Sequence, residues 1–230
     1  MQSPKLSFGE NEVMRKTIFA NDECYHIYNR GVDKREVFSC AEDYERFLLS
    51  MREFNDENLT VSLRDVCLQK LSFGDYPRSL ASGKKPLVEI ICYCLNPNHY
   101  HFILKQLINK GIEKFMQRLG TGYTKYFNTK RDRSGSLFQG PFKAIHIDSN
   151  EYLLHLSAYV NKNNFIHGYS KDDLWPYSSF LDYIGKRNDE LCEKDIVLGQ
   201  FRNEKEYKEF ADANAEYMKD KKDLERYLLE

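Results

Sequence analysis

The sequence predicts an α+β fold: a ferredoxin-like sandwich over residues 24–185, with a small antiparallel sheet, helices on one face of it, and a charged helical extension over 186–230. Three observations predict it. Segments with strand and helix patterning alternate as strand–helix–strand–helix–strand–helix, and neighbouring strands are free to pair antiparallel. The chain has 230 residues of which 41% are hydrophobic, enough to bury one core with an appendage or two small ones. Aromatic residues are plentiful, with 16 Tyr and 15 Phe.

Each element has its own reason. Residues 1–23 lack a firm pattern and read as an N-terminal arm. Cys24-Tyr-His-Ile-Tyr-Asn-Arg-Gly31 reads as a strand ending at a glycine turn. From Ala41 to about Asn58, Tyr44, Phe47, Leu48, Met51 and Phe54 recur at helical spacing. Residues 72–86 have loop composition, and the wider stretch 60–86 reads as an inserted connection. A strand begins near Leu87, breaks at Asn96-Pro97-Asn98 and resumes through His99 and His101. A long helix follows over Gly111–Thr129, then a Gly-rich turn over 133–141 and a strand over Phe142–Ile147. The next helix runs from about Asn150 to Asn164, capped by Ser149 or Asn150. After Trp175-Pro-Tyr-Ser-Ser179, the tail from Asn203 to Glu230 is helical and highly charged.

The formal net charge of -1 is unevenly spread. Lys105–Lys143 carries nine Lys/Arg against two acids, whereas from Lys186 onward 13 acids outnumber 10 bases. A basic middle beside a mildly acidic tail is a clear asymmetry of charge along the chain. The six cysteines form no disulfide framework, and Cys92 and Cys94 read as buried strand residues. No apolar run reaches transmembrane length, so no membrane partner is expected and the chain reads as cytoplasmic.

His99 and His101 are two residues apart in a strand, so both imidazoles face one way and Tyr100 the other. Two co-facial imidazoles are half of a divalent-metal site, though such pairs are as often solvated or hydrogen-bonded. On the helix from Asn150, Tyr159 and Asn163 are four residues apart and share a face, with His155 one turn earlier. An Asn carbonyl is an acceptable hard ligand for Mg²⁺ or Mn²⁺, and a phenol beside a metal is a candidate nucleophile. By themselves, Tyr159 and Asn163 read better as a core tyrosine and a helix-end asparagine. His26 reads as a strand residue with a structural partner, and His155 as a core or surface histidine whose position also allows proton exchange with Tyr159.

The chain resembles the single-tyrosine HUH transposases, most nearly their REP-associated branch. The matching stretches are Tyr25-His-Ile-Tyr-Asn-Arg-Gly31, Leu95-Asn-Pro-Asn-His-Tyr-His-Phe-Ile-Leu104, Met116-Gln-Arg-Leu119, Tyr123-Thr-Lys-Tyr-Phe-Asn128 and Gly135-Ser-Leu-Phe-Gln-Gly140. Phe142-Lys-Ala-Ile145, Tyr152-Leu-Leu154, Tyr159-Val-Asn-Lys-Asn163 and Trp175-Pro-Tyr-Ser-Ser179 complete the order. The resemblance implies that His99, His101 and Asn163 hold Mg²⁺ or Mn²⁺. It implies that Tyr159 forms a 5′-phosphotyrosine with single-stranded or hairpin DNA. Arg30, Lys114, Arg118, Lys125, Lys130, Arg131, Arg133 and Lys143 are the expected DNA-binding residues, and the oligomeric state is monomer or homodimer. Three features depart from the family pattern: Pro141 after Phe-Gln-Gly, Asn164 after Asn163, and the long connection over 60–86. The rival reading is a non-catalytic hairpin-binding protein derived from such a transposase.

Overall fold

The computed structural model describes residues 17–58, 85–170 and 174–228. Most of the predicted arm and nearly all of the predicted insertion over 60–86 lie outside the described residues. Strands β1 (Cys24–Arg30), β2 (Val88–Asn96), β3 (His99–Gln106) and β4 (Lys143–His146) alternate with helices α1 (Ala41–Phe54) and α2 (Gly111–Lys130). The sheet order is β2-β3-β1-β4, with every neighbouring pair antiparallel. That is the predicted ferredoxin-like sandwich. β2 and β3 form a hairpin that turns through Pro97 and Asn98 and sets Asn96 directly opposite His99.

Helices cover both faces of this sheet, not one. On the first face Tyr25, Ile27, Tyr93, Leu95, Tyr100 and Phe102 pack with Phe47 and Met51 of α1 and Phe115, Leu119 and Tyr123 of α2. On the second, Ile91, Cys92, Cys94 and Ile103 meet Leu153, Leu156, Ala158 and Val160 of α3 (Asn150–Asn161). The physical reason is visible in β2, Val-Glu-Ile-Ile-Cys-Tyr-Cys-Leu-Asn: a half-solvated strand alternates polar with apolar, and this run does not. A bulge between Ile90 and Cys92 adds one residue, so Ile91 and Cys92 both join the second core. Each large side chain fully buried here contributes about 1.5–3 kcal/mol relative to exposure.

Local chemistry sets the element ends. α1 stops at Phe54, short of the predicted end, where the Asn55 side-chain oxygen accepts from the backbone N–H groups of Leu87 (2.9 Å) and Val88 (3.0 Å). This ties the chain to the start of β2. Gly122 lets α2 approach α1, since a Cβ there would lie 2.7 Å from the Phe54 ring. Ser149 caps α3, its hydroxyl accepting from the Tyr152 N–H at 3.3 Å. The helix predicted to run to Asn164 ends at Asn161: Lys162 (φ -103°, ψ 13°) separates it from a short turn, α4 (Asn163–Ile166).

The tail is folded back onto the sandwich. After α5 (Phe180–Tyr183) and α6 (Asp195–Leu198), helix α7 (Glu204–Leu228) adds Tyr207 and Ala211 to the second core. The Tyr207 hydroxyl receives the Asn161 amide at 2.7 Å, and Lys162 Nζ lies 2.7 Å from Asp212. α3 is therefore clamped between the sheet and α7.

Candidate active site

Strand alternation delivers His99 and His101 to the second face, as predicted, with Tyr100 in the first core. The two rings are 5.2 Å apart and nearly perpendicular, and both residues are buried. The Asn98 side-chain oxygen Oδ1 lies 2.6 Å from His99 Nδ1 and also accepts from the Tyr169 hydroxyl, while its side-chain Nδ2 donates to the Lys34 backbone carbonyl. His99 Nδ1 therefore carries the proton and Nε2 keeps its lone pair.

That lone pair has an unusual neighbour. His99 Nε2 and Asn163 Oδ1, both acceptors, are 3.0 Å apart. Both also lie within reach of one donor, Asn96 Nδ2, at 3.0 and 2.7 Å. Two acceptors turned toward the same positive group form the arrangement that a cation also fits. Asn163 is fully buried and its own Nδ2 has no hydrogen-bond partner. Leaving a buried amide donor unpaired costs about 1–3 kcal/mol, and what anchors this side chain is the Asn96 amide donating to its oxygen at 2.7 Å. Two imidazoles and an amide oxygen suit a divalent ion such as Mg²⁺ or Mn²⁺. Among the described residues no three His, Cys, Asp or Glu side chains gather into a metal-binding group.

His101 is held by a second histidine: its Nδ1 lies 2.8 Å from His26 Nε2. Tyr28 stacks on both rings, at 5.6 Å from His101 and 4.9 Å from His26. Tyr159, from α3, stands edge-on to His101 at 5.6 Å and to His26 at 6.4 Å. The break at Lys162 lets the tyrosine and Asn163 approach the histidines from two short elements rather than one continuous helix. His167 lies 4.9 Å from His99 and is contacted at 3.0 Å by Lys222 Nζ of α7.

Burial dominates the titration of the cluster. It pulls His26 and His99 down to about 4 and His167 to about 3, and holds His101 well below the usual imidazole range. At neutral pH the imidazoles are uncharged, which is the ligating form. Burial also raises the Tyr159 phenol above its ordinary value, with the Asn163 side chain opposing the shift.

Thus His99, His101, Tyr159 and Asn163 converge. The predicted DNA-binding residues are dispersed. Arg30 ends β1 directly opposite His99, and Lys143 of β4 holds its ammonium 6.0 Å from the Tyr28 ring, so both border the site. Arg118 donates to the carbonyls of Phe54 and Asp56, closing the end of α1. Lys130 and Arg131 pair with Asp43, and Arg133 braces the turn through Asn128 and the Ser136 carbonyl. Lys114 and Lys125 are exposed on α2, in the opposite layer. His155 does not face Tyr159: it bonds Asn214 of α7 at 2.6 Å, because its side of α3 is the one α7 covers. Sequence reasoning missed Asn96, His167, Lys222 and the role of His26. For His26 a signal existed, since His26, Tyr28 and Arg30 alternate on β1 and face the same side as the paired histidines.

Residues 78–163 match the family model described as Transposase IS200 like, a span that contains His99, His101 and Tyr159 and ends at Asn163. A solved structure titled "Structure of the REP associates tyrosine transposase bound to a REP hairpin" is similar over 77% of this chain and 90% of that chain, with 16% identity and a TM-score of 0.49. No curated protein matches. Among the described residues no helix is long and apolar enough to cross a membrane.

Proposed function

We propose, for a chain that over residues 78–163 is similar to the IS200-like transposases, that it nicks and rejoins single-stranded, hairpin-forming DNA through a phosphotyrosine. The observation that carries this is the convergence of the His99 and His101 imidazoles, the Asn163 oxygen and the Tyr159 phenol on one side of the sheet. His99, His101 and Asn163 would hold a divalent Mg²⁺ or Mn²⁺ ion, which supplies Lewis-acid polarisation of a phosphoryl oxygen when bound.

The protein's own residues do the rest. Tyr159 Oη gives up its proton and forms a bond to phosphorus as the bond from phosphorus to the 3′ oxygen breaks, and that oxygen leaves as a hydroxyl after taking up one proton, which balances the one the phenol lost. The 5′-phosphotyrosine keeps the phosphodiester energy, so a 3′-hydroxyl reverses the step without ATP. Clamping of α3 by α7 fixes the phenol against the His101 ring, which limits the conformational freedom given up on reaching the reactive geometry. Arg30 and Lys143, beside the site, would hold the DNA backbone, and Tyr28 offers a ring face to an unpaired base.

The test is a labelled library of single-stranded hairpin oligonucleotides incubated with Mg²⁺ or Mn²⁺ and read for a covalent protein–DNA band. The band is expected for the wild-type chain and absent for Tyr159→Phe and His99→Ala. Hairpin binding with no covalent product under either metal would replace this reading with that of a DNA-binding protein.

A further inference from the structure

His26 is outside the His-Tyr-His motif and outside the span matched by the family model, yet it makes the closest polar contact of His101. We infer that His26 is a positioning residue: by accepting a hydrogen bond from His101 Nδ1 it fixes His101 in the tautomer whose Nε2 keeps its lone pair as a ligand for a divalent cation. The inference rests on the proposed role of His101 as a metal ligand.

Two neutral imidazoles 2.8 Å apart share one proton, so one ring donates and the other accepts. Only two arrangements exist. If His26 Nε2 donates, His101 Nδ1 is the acceptor and the His101 proton sits on Nε2, which then has no lone pair to give. If His101 Nδ1 donates, its Nε2 is free to ligate and the His26 proton sits on Nδ1. Only the second arrangement serves a metal. Metal-bound histidines ordinarily donate their other N–H to a carboxylate, a carbonyl or water, and here a buried imidazole stands in that place.

The surroundings hold the pair in register. His26 lies on β1 and His101 on β3, in strands paired with Tyr28 opposite His101, which makes the two histidines diagonal neighbours on one face. The stacking of Tyr28 on both rings keeps them near coplanar, at 18°. His99 reaches the same tautomer by a different route, through the Asn98 side-chain oxygen. Each candidate ligand thus has its own proton acceptor, one an amide oxygen and one an imidazole.

The experiment has two independent readouts on the full chain. Nitrogen-15 NMR of the metal-free protein assigns the imidazole tautomers: a proton on His101 Nδ1 and on His26 Nδ1 is expected, and a proton on His101 Nε2 overturns the inference. Mn²⁺ titration followed by electron paramagnetic resonance then compares the wild type with His26→Phe and His26→Gln. Loss of about 10–100-fold in Mn²⁺ affinity is expected for the phenylalanine, which cannot accept. The glutamine, whose carbonyl can accept, is expected to recover most of it. Equal affinity in all three chains, each shown folded by its melting transition, overturns the inference. A wild-type chain that binds no Mn²⁺ overturns the metal site itself, and is told apart because the tautomer assignment does not depend on metal.

Discussion

Asn163 is the residue on which the site's chemistry turns. It is fully buried, offers its oxygen to the same point as His99 Nε2, and leaves its amide nitrogen without a partner. Replacing that amide by a carboxylate of the same shape separates a ligand from a structural residue. In the metal-free protein, Asn163→Asp buries a charge served mainly by the Asn96 amide, so stability should fall by roughly 1–3 kcal/mol. For a chain of this size that is a drop of about 2–12 °C in melting temperature. Mn²⁺ should then raise the variant's melting temperature more than the wild type's, because a carboxylate is the stronger hard ligand and binding to the folded state alone is stabilising. Melting curves with chelator and with Mn²⁺ measure both. An equal metal response in the two chains would remove Asn163 from the ligand set.

Between elements, Asp43 joins the start of α1 to the end of α2. Its carboxylate accepts from the Ser39 N–H at 3.0 Å, from Lys130 Nζ at 2.8 Å and from Arg131 at 3.1 Å. An acid in the first turn of one helix and bases in or just after the last turn of another also match the helix dipoles. Burial alone would raise this carboxyl, but the Lys130 hydrogen bond and its companions outweigh burial and lower it below 3.8. A depressed folded-state value stabilises the fold above the unfolded value and ceases to do so as pH falls through the folded one. Asp43→Asn should therefore cost about 1.5–3 kcal/mol at neutral pH, judged from hydrogen bonds to charged groups. The gap from wild type should close as pH falls below about 3.8. Urea unfolding midpoints across that range test it, and a gap independent of pH would show that the contact is steric.

The same pair shows how far these elements were legible in the sequence. β1 to β4 with α1 and α2 could be read because their periodicities of two and 3.6 are carried by large side chains such as Phe47, Phe102 and Phe115. The paired histidines could be read because strand alternation alone puts two such imidazoles on one face. The break at Lys162 could not, since no Gly or Pro marks it and the apolar spacing continues through it. Nor could the roles of Arg118, Lys130, Arg131 and Arg133, whose hydrogen bonds go to groups between 3 and 90 positions distant. Charge is local in sequence, but its partners are chosen by packing.

At the scale of the whole molecule, the sheet divides the basic residues into two populations. Arg30 and Lys143 lie on strands at the margin of the histidine face, whereas Lys114 and Lys125 are exposed on α2, which packs on the other face. A DNA strand entering the site between β1, β4 and α3 reaches the first pair and not the second. Alanine at Arg30 or Lys143 should weaken binding of a single-stranded hairpin and reduce the slope of log affinity against log salt by about 0.7 for each phosphate left unneutralised. Alanine at Lys114 or Lys125 should leave that slope unchanged. All four changes remove one positive charge, so net charge is controlled and only position differs. Fluorescence anisotropy over a salt series, with Tyr159→Phe as the common background to prevent cleavage, supplies the slopes. Equal weakening at all four positions would mean that DNA is attracted by the overall field of the basic middle segment. Weakening confined to α2 would put the DNA on the opposite layer, away from Tyr159, and would be incompatible with the proposed chemistry.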